Sequence, residues 1–191
     1  MDFSAGVVLE KETLDELIAE GHSQLPTQWI ETDQNGYLRR PGKPHTPDYK
    51  SRLVACGQLE NCEGIRADSP TCDVEGLNLL CSWAACSKLR LDTADIRNAY
   101  FNADPMDRLL LLKLPRGGIP GVDNDTTIAA IRPIYGTEDA GRRFYKTLRR
   151  LATEAGLVES RFMKSFYYLT IDGDVKELLA AHVDDLMLSL I

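Results

Sequence analysis

A pair of adjacent aspartates between two apolar runs most constrains how this chain folds. Asp184 and Asp185 follow the run 178–181 and precede the run 186–188. Two charges in such surroundings are costly to bury unless something compensates them, and a metal ion is the usual compensation. The pair therefore marks a candidate metal site.

Two strands joined by a tight turn are predicted just before this pair, at 167–171 and 175–181. The aspartates then lie at or just past a strand end, where a turn re-aims side chains. Mg²⁺ suits such a place, because it takes oxygen ligands and is typically held by one or two carboxylates plus substrate phosphates. On this stretch alone a solvated Asp-Asp turn is the better supported interpretation, since aspartate is common in turns.

Charge is unevenly distributed along the 191 residues, whose net charge is −7. Residues 1–33 hold eight acidic residues and one base, Lys11, which leaves 21 acids and 21 bases in the remainder. We predict an acidic leader or linker at 1–25 and a functional domain at 26–191. A neutral body with clustered bases is compatible with a nucleic-acid partner.

Neither a membrane span nor a signal peptide is predicted, because no apolar stretch is long enough and the N-terminus is acidic. These features favour an intracellular, cytoplasmic protein without a membrane partner. The five cysteines are odd in number and show no C-x-x-C pair, so neither disulfides nor zinc is indicated. Cys81 and Cys86 lie in an apolar run and are predicted to be reduced core thiols.

The pattern of strands and helices, mixed without regular alternation, predicts an α+β fold. Lys50 and Arg52 should share one face of their strand, and a helix should start at Thr71 or Asp73. The predicted elements are a helix at 10–20, a hairpin of 29–33 and 37–39 turning at Asn35-Gly36, a strand at 49–55, a helix to about Lys88, strands at 91–96, 109–114 and 128–131, and a helix at 137–155.

The helix at 137–155 is the most strongly amphipathic segment, with Gly156 as its stop. Its two faces differ sharply in chemistry. Ala140, Phe144, Leu148, Leu151 and Ala155 form the apolar face, and Arg142, Arg143, Lys146, Arg149 and Arg150 form the basic face.

Asp95 ends an apolar strand, and an aromatic residue, Tyr100, follows five residues later. With the distant Asp184-Asp185 pair, this order resembles the two metal-binding motifs of reverse transcriptases. The fuller resemblance, from about Trp29 to the C-terminus, is to the copia-type reverse transcriptase of LTR retrotransposons. It rests on six stretches in order: 49–57 (similar to YKARLVARG), 68–70 (TFSPV), 95–102 (DVKTAFLNG), 114–117 (PPG), 134–145 (LYGLKQAPRAWY) and 182–185 (YVDD).

The resemblance implies an RNA-directed DNA polymerase domain of a retrotransposon polyprotein, in which fingers accompany an antiparallel palm sheet packed on helices. Asp95, Asp184 and Asp185 would be catalytic and, with the carbonyl of Ile96, would hold two Mg²⁺ or Mn²⁺ ions. Such a pair of ions serves both oxygens of an in-line displacement. The implied partners are dNTPs and an RNA or DNA template with its primer, in the cytoplasm or a virus-like particle, while the oligomeric state stays open.

Further site residues are implied, each with a structural alternative. Lys50 and Arg52 would bind the triphosphate, or form a solvated strand face. Tyr100 would be a steric gate against the 2′-hydroxyl, or a core tyrosine. Gly136 to Ala140 would lie along the nucleotide, with Gly allowing close approach. The implied nucleic-acid contacts are Arg142, Arg143, Lys146 and His182, although a charged helix face is as readily explained by solvation.

Several departures bear on activity. His182 replaces the tyrosine, Cys56 an arginine, Glu138 a lysine and Gly141 the proline of the family pattern. The sequence also stops six residues after Asp185, so only fingers and a partial palm are expected, without the remainder of the palm, the primer grip, the thumb and the RNase H region. The alternatives are a truncated, inactive remnant that at most binds nucleic acid, and a metal-dependent hydrolase that uses the same carboxylates.

Overall fold

The computed structural model describes residues 6–190, which fold into ten strands and three α-helices. The chain divides into two units: the first comprises Met1–Glu63 and Pro105–Glu138, the second Gly64–Asp104 and Asp139–Ile191. In chain order the elements are β1 (Gly6–Val8), α1 (Lys11–Ala19), β2 (Gln24–Asp33), β3 (Tyr49–Ala55), α2 (Val74–Ser87), β4 (Asp92–Asp95), β5 (Leu111–Lys113), β6 (Thr127–Ala130), α3 (Ala140–Glu154), β7 (Val158–Glu159), β8 (Phe166–Ile171), β9 (Asp174–His182) and β10 (Asp185–Leu190).

A five-stranded sheet in the order β1-β6-β5-β2-β3 forms the first unit. Its pairs are antiparallel except β2 with β5, which run parallel. Leu25, Leu111 and Leu112 are among its buried side chains. The predicted helix at 10–20 is confirmed as α1, which buries none of its residues. Asp2 of the predicted acidic leader lies outside the described residues, and the boundary at residue 25 stays a prediction.

An antiparallel sheet in the order β4-β10-β9-β8-β7 forms the second unit. Leu80 of α2 packs with Phe166 and Ala180, whereas Phe144 of α3 packs with Ala181. Successive residues of a strand point to opposite faces, so α2 and α3 cover opposite faces of the sheet. The α+β prediction is confirmed, and each helix positions one side of the hairpin that carries the aspartates.

Local turn chemistry explains the predicted hairpin that precedes the aspartates. β8 and β9 confirm it, and they are joined by Asp172 and Gly173, with φ of 53° and 85°. Asp-Gly is the pair that a two-residue turn with positive φ at both positions favours. The side chain of Asp73, one of two predicted caps, accepts a hydrogen bond from Gly76 N at 2.8 Å and starts α2.

The hairpin predicted to turn at Asn35-Gly36 is wrong. β2 instead pairs with β3, in the register Asp33↔Tyr49, and residues 36–38 form a single 3₁₀ turn. The reason is the carboxylate of Asp33, which accepts hydrogen bonds from the backbone N of Asn35 and of Asp48 and thereby holds a wide loop closed.

Two predictions about burial on the helices are also wrong. Cys81 and Cys86 are exposed on α2, because the face that packs on the sheet carries Gly76, Leu80 and Ala84. Leu151 of α3 and Ala155, which follows its last residue, are exposed, and Tyr145 and Ala152 are buried in addition to Ala140, Phe144 and Leu148. Contact with the 3₁₀ turn at 99–102 and with β7 rotates the buried face away from Leu151.

Candidate active site

The loop between β9 and β10 is a two-residue turn made by Val183 and Asp184, closed by the pair His182↔Asp185. Val183 has a φ of 56°, where a β-branched residue is a genuine outlier. Such conformations cost about 1–3 kcal/mol and persist when their surroundings over-determine them. The Val183 side chain packs with the buried cluster around Phe144 and Ala181, which holds the turn in place.

Asp95 on β4 lies directly opposite Asp185 on β10. Ile96 N donates to the carbonyl of Asp184 at 2.9 Å, so the ladder bonds fall at the neighbouring position. Asp95 and Asp185 therefore form a non-hydrogen-bonded pair, the kind in which facing side chains are closer. Like charges in this position are destabilising, so the fold brings together two carboxylates that repel each other.

His182 and Asp185 are cross-strand partners, so their side chains share a face of the sheet with Asp95. All three line an open cavity of about 530 Å³. Leu77, Ala180 and Met187 line it as well and give it an apolar side. The cavity thus combines two carboxylates with room for a ligand of substantial size.

The donor set suits Mg²⁺ only with help from a ligand. Asp95 and Asp185 are exposed and Asp184 is half-buried, and within residues 6–190 none of their side chains makes a hydrogen bond or ion pair. In that part of the chain no three His, Cys, Asp or Glu side chains group into a complete metal site. Since Mg²⁺ is usually held by one or two carboxylates plus substrate phosphates, an incomplete carboxylate set fits that ion.

The start of the turn is fixed from outside the β9–β10 hairpin. Ala181 N donates to Ser165 O at 2.9 Å, and Ala181 O accepts from Cys72 N at 2.8 Å. Ser165 is buried, and its hydroxyl donates to Pro70 O at 2.8 Å. Sequence reasoning missed this support, because backbone contacts so distant in sequence leave no local pattern.

Tyr100 packs edge-to-face on Phe144, with ring centroids 6.4 Å apart and an interplanar angle of 75°. Ile96 joins the same cluster through its side chain. Tyr100 thus has the contacts of a core residue, and its role as a steric gate stays a prediction. The same holds for the carbonyl of Ile96 as a metal ligand.

The basic face of α3 is largely paired with carboxylates. Arg142 Nη1 lies 2.6 Å from Asp68, and Arg143 Nε lies 2.5 Å from Asp139. Lys146 is exposed and forms no side-chain hydrogen bond or ion pair within the described residues. The arginines therefore brace the second unit, and nucleic-acid binding by this face and by His182 stays a prediction.

Gly136 lies in the first unit and has a φ of 89°. A Cβ at this position would come within 2.6 Å of Val54 Cγ1 and still closer to the carbonyl oxygen of Ala55. Only glycine combines a positive φ with the absence of a Cβ. Packing on β3 therefore already explains this residue. Ala140 is buried at the start of α3 in the second unit.

Lys50 and Arg52 lie on β3, opposite Thr32 and Ile30, and project from the same face as predicted. Lys50 is exposed and Arg52 is half-buried. Glu138, where the family pattern has a lysine, uses its backbone N to donate to Glu60 Oε2 at 3.3 Å. Cys56 is half-buried and has a free thiol.

The likeness of the chain to known proteins concerns both aspartate motifs and the elements that carry them. No curated protein matches the chain significantly. In the described part of the chain, every helix is too short or too polar to span a membrane. Residues 16–190 match the family model described as reverse transcriptase (RNA-dependent DNA polymerase), the family found in copia-type LTR retrotransposons. Because that match covers nearly the whole chain, including both aspartate motifs, the chain belongs to this reverse transcriptase family.

Proposed function

We propose that the chain is an RNA-directed DNA polymerase domain that joins dNTPs to a primer 3′-hydroxyl. One observation carries the proposal: Asp95 faces Asp185 across β4 and β10, beside Asp184 in a strained turn, and none of the three carboxylates forms an ion pair with a base of the described residues. A site that gathers carboxylates against their own repulsion is suited to a cation that arrives with the substrate.

Asp95, Asp184 and Asp185 would hold two divalent ions, Mg²⁺ or Mn²⁺. When bound, such ions activate the attacking hydroxyl and neutralise the charge of the leaving pyrophosphate. The contribution of the chain is to hold the carboxylates at fixed positions. Ile96 does this through its bond to the Asp184 carbonyl, and Val183 does it through its packing.

Other residues complete the proposal without being needed for the metal site. We propose Lys50 and Arg52 as triphosphate ligands, since guanidinium and ammonium groups bind phosphate oxygens. Tyr100 would exclude the 2′-hydroxyl, and Gly136 and Ala140 would lie along the nucleotide. Lys146 and His182, with Arg142 and Arg143, would contact the nucleic-acid strands, and a retrotransposon polyprotein is the proposed context.

Primer extension on an RNA template with dNTPs and Mg²⁺ tests this function. The chain is assayed as given and joined to the thumb of a relative, each also as Asp95→Asn and Asp184→Asn. Asp174→Asn is the matched control, because this aspartate is exposed on the same sheet away from the turn. Extension that both variants abolish and the control keeps would support the proposal.

Two results would contradict it. If primer extension persisted in Asp184→Asn, the carboxylates would not take part in catalysis. No extension from either form, with both shown to be folded, would leave the inactive remnant as the better description. The substitutions at Cys56, Glu138 and His182 would then be the first residues to revert.

A further inference from the structure

Ser165, in the loop between β7 and β8, is a buried residue with a left-handed backbone. Its exposed fraction is 2%, and its φ is 54°. Residues other than glycine are uncommon at positive φ, because the Cβ is crowded there. Such a conformation persists only where the surrounding contacts over-determine it, and residues of this kind cluster at functional sites. The contacts that hold Ser165 therefore call for an explanation.

All three polar groups of Ser165 are hydrogen-bonded, each to a different segment. Its backbone N donates to Glu159 Oε1, on β7, at 3.1 Å. Its hydroxyl donates to Pro70 O, in the segment before α2, at 2.8 Å. Its carbonyl accepts from Ala181 N, on β9, at 2.9 Å. Ser165 thus joins three segments that are separate in the sequence.

These hydrogen bonds form a closed ring around Ala181. Cys72, in the same segment as Pro70, donates its backbone N to Ala181 O at 2.8 Å. One support of Ala181 is therefore Ser165, and the other is the segment before α2. The hydroxyl of Ser165 joins the two supports to each other. Ala181 directly precedes His182, the first residue of the pair that closes the aspartate turn.

The space beside this ring is nearly filled. A cavity of about 10 Å³ is lined by Ser165, Ala181 and Val183, among others. About 10–15 Å³ is needed to hold a single water molecule, so the cavity leaves little freedom for these residues to move. Val183 belongs to the turn itself and has a strained φ of 56°. A shift of Ser165 should therefore reach the turn by contact as well as through the ring.

We propose that Ser165 is a positioning residue for the aspartates of the turn: its hydroxyl fixes Ala181 and thereby the places of Asp184 and Asp185. The inference rests on the proposed function, since it concerns the same carboxylates as metal ligands. Residues that orient metal ligands without touching the metal typically change metal affinity or activity about 10- to 100-fold when they are lost. Loss of the hydroxyl should weaken metal binding beyond any loss of stability.

The test is Ser165→Ala in the whole chain, with two measurements that do not depend on primer extension. The first is binding of Mn²⁺ in the presence of dTTP, followed by the electron paramagnetic resonance signal of the free ion, and it should weaken about tenfold. The second is hydrogen exchange of the Ile96 amide without metal. Because this amide donates to the Asp184 carbonyl, it should exchange faster when the turn is no longer held.

Ser189→Ala is the matched control. Ser189 is fully buried, and its hydroxyl donates to Arg90 O at 3.0 Å, at the end of β10 away from the turn. This variant loses the same kind of hydrogen bond, so the urea midpoint should fall about as far as in Ser165→Ala. Mn²⁺ binding and exchange of Ile96 should stay as in the unchanged chain.

Ser165→Gly separates the hydroxyl from the backbone conformation. Glycine accepts a positive φ readily, so this variant should fold even if Ser165→Ala does not. It lacks the bond to Pro70 and should show the same weak Mn²⁺ binding and fast exchange of Ile96. Normal values for both would mean that the hydroxyl does not position the turn, and equal changes in Ser189→Ala would mean that the effect is general destabilisation.

Asp184→Asn distinguishes this inference from the proposed function. Mn²⁺ binding that Asp184→Asn leaves unchanged would contradict the proposed function, and with it the assignment of Ser165 to a metal site. Binding that is lost in Asp184→Asn and normal in Ser165→Ala and Ser165→Gly would contradict the inference alone.

Discussion

The aspartate turn and the basic face of α3 belong to the same unit but differ in whether their charged side chains are paired. On α3, Arg142, Arg143 and Arg150 each meet a carboxylate, at 2.6, 2.5 and 2.8 Å. At the turn, Asp95 and Asp185 face each other with no positive group bonded to them in the described part of the chain. The comparison separates charges that are paired within the fold from charges that the described part of the fold leaves unpaired.

Removing one carboxylate of the turn should have the largest effect, on catalysis. We expect Asp184→Asn to lower the rate of primer extension by about a thousandfold, because metal stabilisation of the transition state is worth several kcal/mol. Single-turnover kinetics would measure it. If Arg150→Ala on α3 reduced the rate as much, the aspartate turn would be no more important for catalysis than the paired charges of α3.

Loss of a carboxylate that is paired should instead cost stability. Glu159 accepts from the Tyr145 hydroxyl at 2.8 Å and from Ser165 N at 3.1 Å, and it lies 3.0 Å from Arg149. Glu159→Ala leaves the buried donors among these without an acceptor. The free energy of unfolding should therefore fall by about 1–3 kcal/mol. Urea denaturation would measure the change, and an unchanged midpoint would contradict it.

Neutralising the unpaired aspartates should raise stability in the absence of metal. Asp95→Asn or Asp185→Asn removes a like-charge pair across the strands, worth about 0.2–1 kcal/mol in unfolding free energy. Thermal denaturation in EDTA would measure the gain, and Asp174→Asn is the control. A loss of stability in these variants would mean that the aspartates are paired after all.

The smallest effect is expected on the exposed side of α3. Arg150 lies 2.8 Å from both Asp104 and Glu154, yet all three side chains are about half exposed. Exposed ion pairs contribute about 0–1 kcal/mol, so Arg150→Ala should lower the unfolding free energy by that amount and Lys146→Ala by less. The difference should vanish in high salt, and a larger, salt-independent loss would point to packing instead of charge.

The sequence was sufficient for features that depend on neighbouring residues. The β8–β9 hairpin follows from Asp172-Gly173 and the apolar runs on either side of it, and α2 follows from its cap at Asp73. The Asp184-Asp185 pair stands out in the sequence because it borders the apolar strand β10, whereas β4, which Asp95 ends, is short and mostly exposed, so its predicted apolar character is wrong.

The predictions that were wrong concern features that depend on contacts between residues farther apart in the sequence. An Asn-Gly pair normally favours a tight hairpin, but at Asn35-Gly36 the Asp33 carboxylate and its partner His45 impose a wider loop. Exposure of Leu151 likewise depends on which elements α3 packs against. The site residues all stay predictions, the three aspartates included, and contacts such as that of Tyr100 with Phe144 suit a structural role equally well.

The position of β10 between β9 and β4 also has a kinetic consequence. Asp95 and Asp185 are partners in the sheet although ninety residues separate them. Contacts of such long range close large loops and form slowly, so we expect the two carboxylates to meet late in folding, after local hairpins such as β8–β9. A ligand that bridges them would then bind the finished sheet and no earlier species, and it would stabilise that sheet in proportion to the logarithm of its concentration.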